Sequence, residues 1–242
     1  MKISIITVVK NDKKNLLISL KSILSQKLKK FEYIIYDGMS QDGTKFIIKK
    51  FLNKNIKYIR RSDKNYYEGL NYAIKTAKGD YIGILNAGDK YFNSKILENI
   101  NKKISHTKCD LLFGNLIFTN KKKISRVWKF PINKLNTLTA LKIASPTIFI
   151  RKDIVLNQPY NTRYNISSDT DFNIKISKKK IKFIYLNNFL ILMKIGGLST
   201  NYKFFFKKMA QDILILIEHF KFLFLLIYIY KVFIKLKTFK IN

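Results

Sequence analysis

Phe31-Glu32-Tyr33-Ile34-Ile35-Tyr36-Asp37-Gly38-Met39-Ser40-Gln41-Asp42-Gly43-Thr44 is an apolar run that stops on an acid and a glycine-containing turn. The run predicts a buried strand, and Asp37 marks its carboxyl end, where open α/β sheets bind ligands. The same device recurs where residues 81–85 run into Asn86-Ala87-Gly88-Asp89. Two acidic strand ends on one rim are a place to hold a metal-bound diphosphate. Working outward, residues 3–9 and 56–59 read as further strands, and 13–25, 44–52 and 67–77 as helices. Strands alternating with helices of this length predict βαβ units and a mainly parallel sheet.

Beyond residue 93 the pattern changes. A helix at 94–104 leads to strands at 110–118 and 124–130, which Asn120-Lys121-Lys122 joins as an antiparallel hairpin. A helix at 135–143, a strand at 147–150 and a helix at 168–177 follow. Two apolar runs, 181–186 and 189–193, then end at Ile195-Gly196-Gly197-Leu198-Ser199. The expected class is therefore α/β, with a mixed, mostly parallel sheet flanked by helices. There is no internal repeat and no Pro-rich or Ser-rich linker.

The 242 residues suffice for one sizeable core, and 47% hydrophobic content excludes a disordered chain. A formal charge of +32 predicts a field that attracts phosphates, anionic lipid or nucleic acid. The excess is mostly Lys spread along the whole length, without Arg clusters or a base-reading motif, so no specific nucleic-acid partner is expected. The lone Cys109 excludes an intramolecular disulfide, fits a reducing compartment and reads as a core residue beside 111–113. Residues 3–9 are too short for a signal peptide, which predicts a catalytic part facing the cytoplasm.

The tail from 201 to 242 differs in kind. Lys207, Lys208, Gln211, Asp212, Glu218 and His219 fall over one side of a helical wheel, and Ile213, Leu214, Leu216 and Ile217 over another. Residues 222–230 are apolar all round, but nine residues between Lys221 and Lys231 fall short of the roughly twenty that a membrane span needs. The stretch reads as an amphipathic helix lying in an anionic membrane surface, aided by the eight lysines from Lys203 to Lys240. Packing on the protein's own core, or on a second copy as a homo-oligomer, is the other reading.

Taken singly, Asp37 reads as a turn acid bonding its own backbone, and Asp42 as a helix cap. Asp63, Asn86 and Asp89 also follow strands pointing the same way, so four polar ends share one rim. In order, Asp-Gly-x-Ser-x-Asp-Gly-Thr, Asp63-Lys64-x-x-Tyr67-Glu68-x-x-Asn71, Gly79-Asp80-Tyr81-Ile82 and Leu85-Asn86-Ala87-Gly88-Asp89 resemble glycosyltransferase family 2 across about residues 1–200.

That resemblance implies a GT-A fold, with a nucleotide-sugar-binding half at 1–92 and an acceptor half at 93–200. It implies an inverting transfer of sugar from a nucleotide-diphosphate donor, UDP-linked by default, to a glycan or lipid-linked acceptor in surface-polysaccharide synthesis. By the family pattern, Asp37 contacts the base, Thr7 and Val9 line the same pocket, and Asp63, Asn86 and Asp89 complete the donor site. Asp89 carries the divalent metal, Mg²⁺ or Mn²⁺, because Asn86 replaces the first acid of the usual Asp-x-Asp. One acid suffices where phosphate oxygens supply the remaining ligands. Ser168-Asp169-Thr170-Asp171-Phe172 resembles the family's Glu-Asp helix start, which makes Asp169 the base. Asp171 points about 200° away around a helix. Asn86 and Ser168, where acids are usual, leave open an inactive family member serving as a membrane-bound partner, and the charge leaves open a basic nucleic-acid-binding protein.

Overall fold

The computed structural model describes residues 1–120, 123–197 and 201–239. Along the chain they form β1 (Ile3–Val9), α1 (Lys13–Leu24), β2 (Phe31–Asp37), α2 (Thr44–Phe51), β3 (Ile56–Arg60), α3 (Tyr66–Thr76), β4 (Tyr81–Ile84), β5 (Lys90–Tyr91) and α4 (Ile96–Thr107). There follow β6 (Leu111–Asn120), β7 (Lys123–Trp128), α5 (Thr137–Ala140), β8 (Phe149–Arg151), α6 (Lys152–Asn157), α7 (Ser168–Ser177), β9 (Phe183–Lys194), α8 (Phe205–Phe220) and α9 (Phe224–Lys237).

These nine strands make one sheet in the order β3-β2-β1-β4-β8-β6-β9-β5, with β7 also paired to β6. The first four run parallel, β6 and β9 run parallel, and the remaining pairs are antiparallel. Strand order therefore reverses between β1 and β4, and a crevice opens outside their carboxyl ends.

What fixes the strand ends is burial on both faces. Ile3, Ile5 and Val9 pack in one layer with Leu16, Leu20 and Ile23 of α1, while Ile6 and Val8 pack in the other with Leu70, Ala73 and Ile74 of α3. Truncating one such residue, Leu20→Ala for example, costs about 2–5 kcal/mol. Helix α3 lies so close to β2 that a Cβ on Gly69 would sit 2.6 Å from the Tyr36 ring, which admits only glycine. Cys109 is buried in the first layer.

Several expectations change in detail. The helix expected over 135–143 is a single turn, α5, because Ser145-Pro146 soon follows and proline bars continuation. The two late apolar runs are one strand, β9, whose interruption at Asn187-Asn188 is absorbed by register shifts against β6 on either side of Asn115. Gly114 allows this, since a Cβ there would sit 2.9 Å from the Asn188 carbonyl. Elements β5 and α6 are too short to leave a periodic signal. The hairpin of β6 and β7 is antiparallel as expected, while its Lys121-Lys122 link lies outside the described residues.

The tail departs most. By length and composition, residues 202–237 could cross a membrane as one helix of 36 residues. Lys221 breaks it, with φ at +50°, and α9 folds back along α8 so that Asp212 meets Lys231 at 2.9 Å. The separate helices have 16 and 14 residues, each short of a span. The polar and apolar wheel faces of α8 do not divide solvent from protein, since Lys207 and Glu218 are exposed while Leu216 is buried. Gln211 and Asp212 are buried against the domain, and Leu214 and Ile217 point outward. The reason lies in the partners: Gln211 accepts from the Ile166 and Ser167 amides, and Asp212 meets a group of lysines. Ile215, Leu216 and Ile234 seal the hairpin onto Ile174 of α7.

Candidate active site

A cleft of about 1210 Å³ opens at the switch point and runs from the ends of β1 and β4 to the start of α7 and the tail hairpin. That volume exceeds a typical single-ligand pocket. Val9, Asp63, Asn86, Asp89 and Asp169 all line it.

Asp89 sits at the donor rim, 2% exposed, in the turn after β4. Gly88 makes the turn with φ at +95°, against Asn15. One carboxylate oxygen accepts from the Lys194 amide at 3.1 Å and the other from Asn86 at 3.2 Å. No Lys or Arg side chain pairs with Asp89 among the described residues, and burial pushes its carboxyl up to about 7. A buried carboxylate compensated this poorly fits a divalent cation. Among the described residues no group of three metal-ligating side chains gathers, so an ion held at Asp89 would need further oxygen ligands from elsewhere.

Asp63 borders Gly38, where a Cβ would meet its oxygen at 3.2 Å. Burial raises its pKa, while the Lys10 charge partly offsets this. Two of the predicted donor residues do not reach the cleft. Asp37 is fully buried, with one oxygen accepting from the Ser40 amide at 2.8 Å and the other from the Tyr58 hydroxyl at 2.7 Å. Arg60 stands 3.6 Å away. The Asp37 carboxylate thus ties the β2 turn to β3, and the adjacent Gly38 borders the cleft instead. Thr7 is also fully buried; its hydroxyl bonds the Leu85 carbonyl and the Tyr33 hydroxyl, linking β1 to its neighbours. In a fully covered strand, side chains such as Thr7 point into packed layers, and of β1 only its last two residues, Val8 and Val9, border the cleft.

Across the cleft, Asp169 begins α7 and is half-buried, with one oxygen accepting from the Thr170 amide at 2.8 Å. Asp171 faces the other way, as the helical spacing predicts. It is fully buried and pairs with His219 at 2.8 Å and Lys175 at 2.7 Å. His219, which has no metal-ligand spacing in the sequence, thus pins α8 to α7. Ser168 is buried and does not line the cleft. Two wheel-face residues of α8, Asp212 and Lys208, belong to this side as well.

Sequence reasoning passed over the aromatics that join the two rims. Asn65 caps α3 by accepting from the Tyr67 and Glu68 amides, and so presents Tyr66 and Tyr67 to the cleft. The Tyr66 hydroxyl donates to Asn86 at 2.7 Å, and its pKa is raised by burial and then by the charges of Asp89 and Asp169. Tyr67 donates to the Ile166 carbonyl and accepts from the Asp169 amide. Asn71 bonds the Tyr160 backbone in both directions. The 63–71 motif thus anchors the Asp169 helix start to the donor half.

Residues 4–214 match the profile of glycosyl transferase family 2. The chain belongs to this family. A PGL/p-HBAD biosynthesis glycosyltransferase of Mycobacterium tuberculosis is 29% identical over 161 residues, covering 64% of this chain and 62% of the relative. The UDP-Glc:alpha-D-GlcNAc-diphosphoundecaprenol beta-1,3-glucosyltransferase WfaP of Escherichia coli is 32% identical, with the same shares covered. The chain thus spans about three fifths of the length of these curated relatives. Among solved structures, S. aureus TarS 1-349 in complex with UDP superposes with a TM-score of 0.69 at 19% identity, covering 91% of this chain and 67% of that one. The mannosyltransferase PcManGT from Pyrobaculum calidifontis, in complex with GDP-Man and Mn2+, gives 0.62 at 13% identity, with 82% and 58% covered. The fold of family 2 is GT-A, and the sheet described above is of that kind.

Proposed function

We propose that this chain is an inverting glycosyltransferase that moves a sugar from a nucleoside-diphosphate donor, UDP-linked by default, to a hydroxyl of a glycan or lipid-linked acceptor at the cytoplasmic face of a membrane. The observation that carries this reading is the opposition of Asp89 and Asp169 across one cleft, with Tyr66 between them. Asp89 would hold Mg²⁺ or Mn²⁺ on the donor diphosphate, and that ion would supply charge neutralisation for the departing phosphate oxygens. Asp169 takes the acceptor hydroxyl proton as that oxygen bonds to the anomeric carbon. The carbon–oxygen bond to the diphosphate breaks, and its electron pair leaves with the phosphate.

Support for the donor comes from TarS, solved with UDP, and for the acceptor class from WfaP, whose name gives a diphosphoundecaprenol acceptor. Peripheral membrane docking is supported by the outward face of the hairpin, where Phe222, Leu226, Ile229 and Phe233 are each more than half exposed, with Lys203, Lys207, Lys221 and Lys237 also exposed.

The test is a thermal-shift screen of nucleotide sugars with and without Mg²⁺ or Mn²⁺, because a ligand that binds only the folded state raises its stability. One nucleotide class should stabilise in a metal-dependent way. If none does, the donor site is misassigned.

A further inference from the structure

The acceptor wall of the cleft carries cations that the reaction as proposed does not use. Lys208, Lys231 and Lys235 from the tail hairpin and Arg126 from β7 all line the cleft beside Asp169 and Thr170. Lys231 is 7% exposed, and its ammonium donates to Thr170 at 3.0 Å, one residue from Asp169. Asp212 meets all three lysines, at 3.4, 2.9 and 3.9 Å. It is the only carboxylate that pairs with any of them among the described residues, so three ammonium groups share one acid. Arg126 pairs with no carboxylate among the described residues. Its guanidinium lies 3.7 Å over the Phe118 ring, and its buried Nε has no hydrogen-bond partner among the described residues.

Burying cations with too little counter-charge is costly, and here Asp212, with the Asp169 charge also acting on Lys231, faces three ammonium groups. The same burial lowers their proton affinity: it pushes Lys231 down, and together with the Lys208 charge it pushes Lys235 down to about 8. A cluster in that condition is arranged for an anion. Its chemistry, Lys point charges with one Arg fork, matches phosphate oxygens. Its place, against Asp169 rather than at the β4 turn, puts that anion on the hydroxyl-bearing substrate.

We propose that Lys208, Lys231, Lys235 and Arg126 bind a phosphate or diphosphate group carried by the acceptor. The existence of the anion site stands on the cluster itself, and its assignment to the acceptor rests on the reading of the donor rim above.

The experiment is calorimetric titration of the full chain with inorganic pyrophosphate, alone and then with Mg²⁺ and whichever nucleoside diphosphate stabilises the protein. Pyrophosphate should bind in both conditions. Lys235→Gln and Arg126→Gln should each weaken it roughly ten-fold, on the scale of one lost charge-assisted hydrogen bond. The exposed Lys49→Gln should leave it unchanged, which separates the cluster from the general positive field. Lys235→Gln is the milder change, since that side chain is 38% exposed and stands farthest from Asp212. Melting curves confirm folding of both variants.

Equal affinity in all variants overturns the site. Displacement of pyrophosphate by the nucleotide assigns the cluster to the donor and overturns the acceptor assignment. Loss of binding to phosphatidylglycerol vesicles, with pyrophosphate binding intact, makes it a membrane contact and overturns it too. If no nucleotide stabilises the protein, the donor reading fails, while the titration without nucleotide still decides whether the anion site exists.

Discussion

The two rims of the cleft are built on opposite electrostatic terms. At the proposed donor rim the buried acid Asp89 pairs with no Lys or Arg side chain among the described residues, while at the proposed acceptor rim three lysines pair with Asp212. Under the proposed function, the first imbalance suits a metal ion and the second an anion. The rims also differ in how the chain makes them. The proposed donor rim is assembled mostly from strand ends within the first 89 residues, closed by Lys194 of β9, whereas the proposed acceptor rim draws on β7, α7, α8 and α9. The cleft thus lies between a surface that is mostly local in sequence and one that is not.

The largest effect expected tests the acceptor rim. Asp169→Asn removes the base and should lower turnover by about 10²–10⁴-fold. Because the Thr170 amide is the one hydrogen-bond partner of its side chain among the described residues, nucleotide binding and melting temperature should hardly change. Turnover near wild type would place the base elsewhere.

Next comes the acid that neutralises the hairpin. Asp212→Asn leaves Lys231 buried without its counter-charge, which should cost about 3–5 kcal/mol and detach the tail from α7. Denaturant unfolding would show it, with a matching loss of protection for α8 and α9 in hydrogen exchange. The donor rim lies outside this contact, so nucleotide-dependent stabilisation should persist in the fraction still folded. If the variant is as stable as the wild type, the cation cluster is not held by this acid.

The same division explains what the sequence could disclose. Strands β1 to β4 are short apolar runs, and glycine turns follow β2 and β4, so the positions of Asn86 and Asp89 follow from pattern alone. The 3.6-residue period likewise separates Asp169 from Asp171. The surroundings of Asp37 are not legible, because a carboxylate at a strand end looks alike whether it faces solvent or a neighbouring tyrosine, and only the pairing of β2 with β3 brings Tyr58 to it. The tail misleads, since a helical wheel does not say which face meets protein. Lysines 208, 231 and 235 look like membrane-facing charges until the break at Lys221 folds them inward. Tyr66 carries no signal beyond following the cap Asn65.

A third prediction sharpens the donor side. The Asp89 carboxyl is raised above its ordinary value of 3.8 to about 7 in the fold, so the unfolded chain releases its proton first as pH rises. Without metal, stability contributed by the protonated form is present below about 3.8 and lost as pH climbs towards 7. Asp89→Asn should therefore stabilise the metal-free protein at neutral pH by a few kcal/mol at most, since each tenfold change in proton affinity is worth about 1.4 kcal/mol. It should also abolish any metal-dependent rise in melting temperature. Paired melts of both proteins at acid and neutral pH, with EDTA or Mg²⁺, read both effects. A variant that is less stable than wild type at neutral pH in EDTA would mean that Asp89 already has a counter-charge.

The smallest effect on the folded protein concerns the outward face of the hairpin. Leu226 is 65% exposed and Phe233 53%, so changing both to Glu removes little packing and should alter stability by only about 0.5 kcal/mol per site. On a membrane the same change should be large. Burying such side chains in lipid contributes about 1.5–3 kcal/mol each, and the new carboxylates would also meet the negative leaflet. Co-sedimentation with phosphatidylglycerol vesicles should therefore fall sharply in Leu226→Glu/Phe233→Glu while the melting temperature and pyrophosphate affinity hold. Lys235→Gln should do the reverse, losing pyrophosphate and keeping vesicles, because Lys235 turns into the cleft and Leu226 turns away from it. If both variants lose both ligands, the hairpin does not separate a lipid face from a substrate face, and the contrast between its two sides collapses.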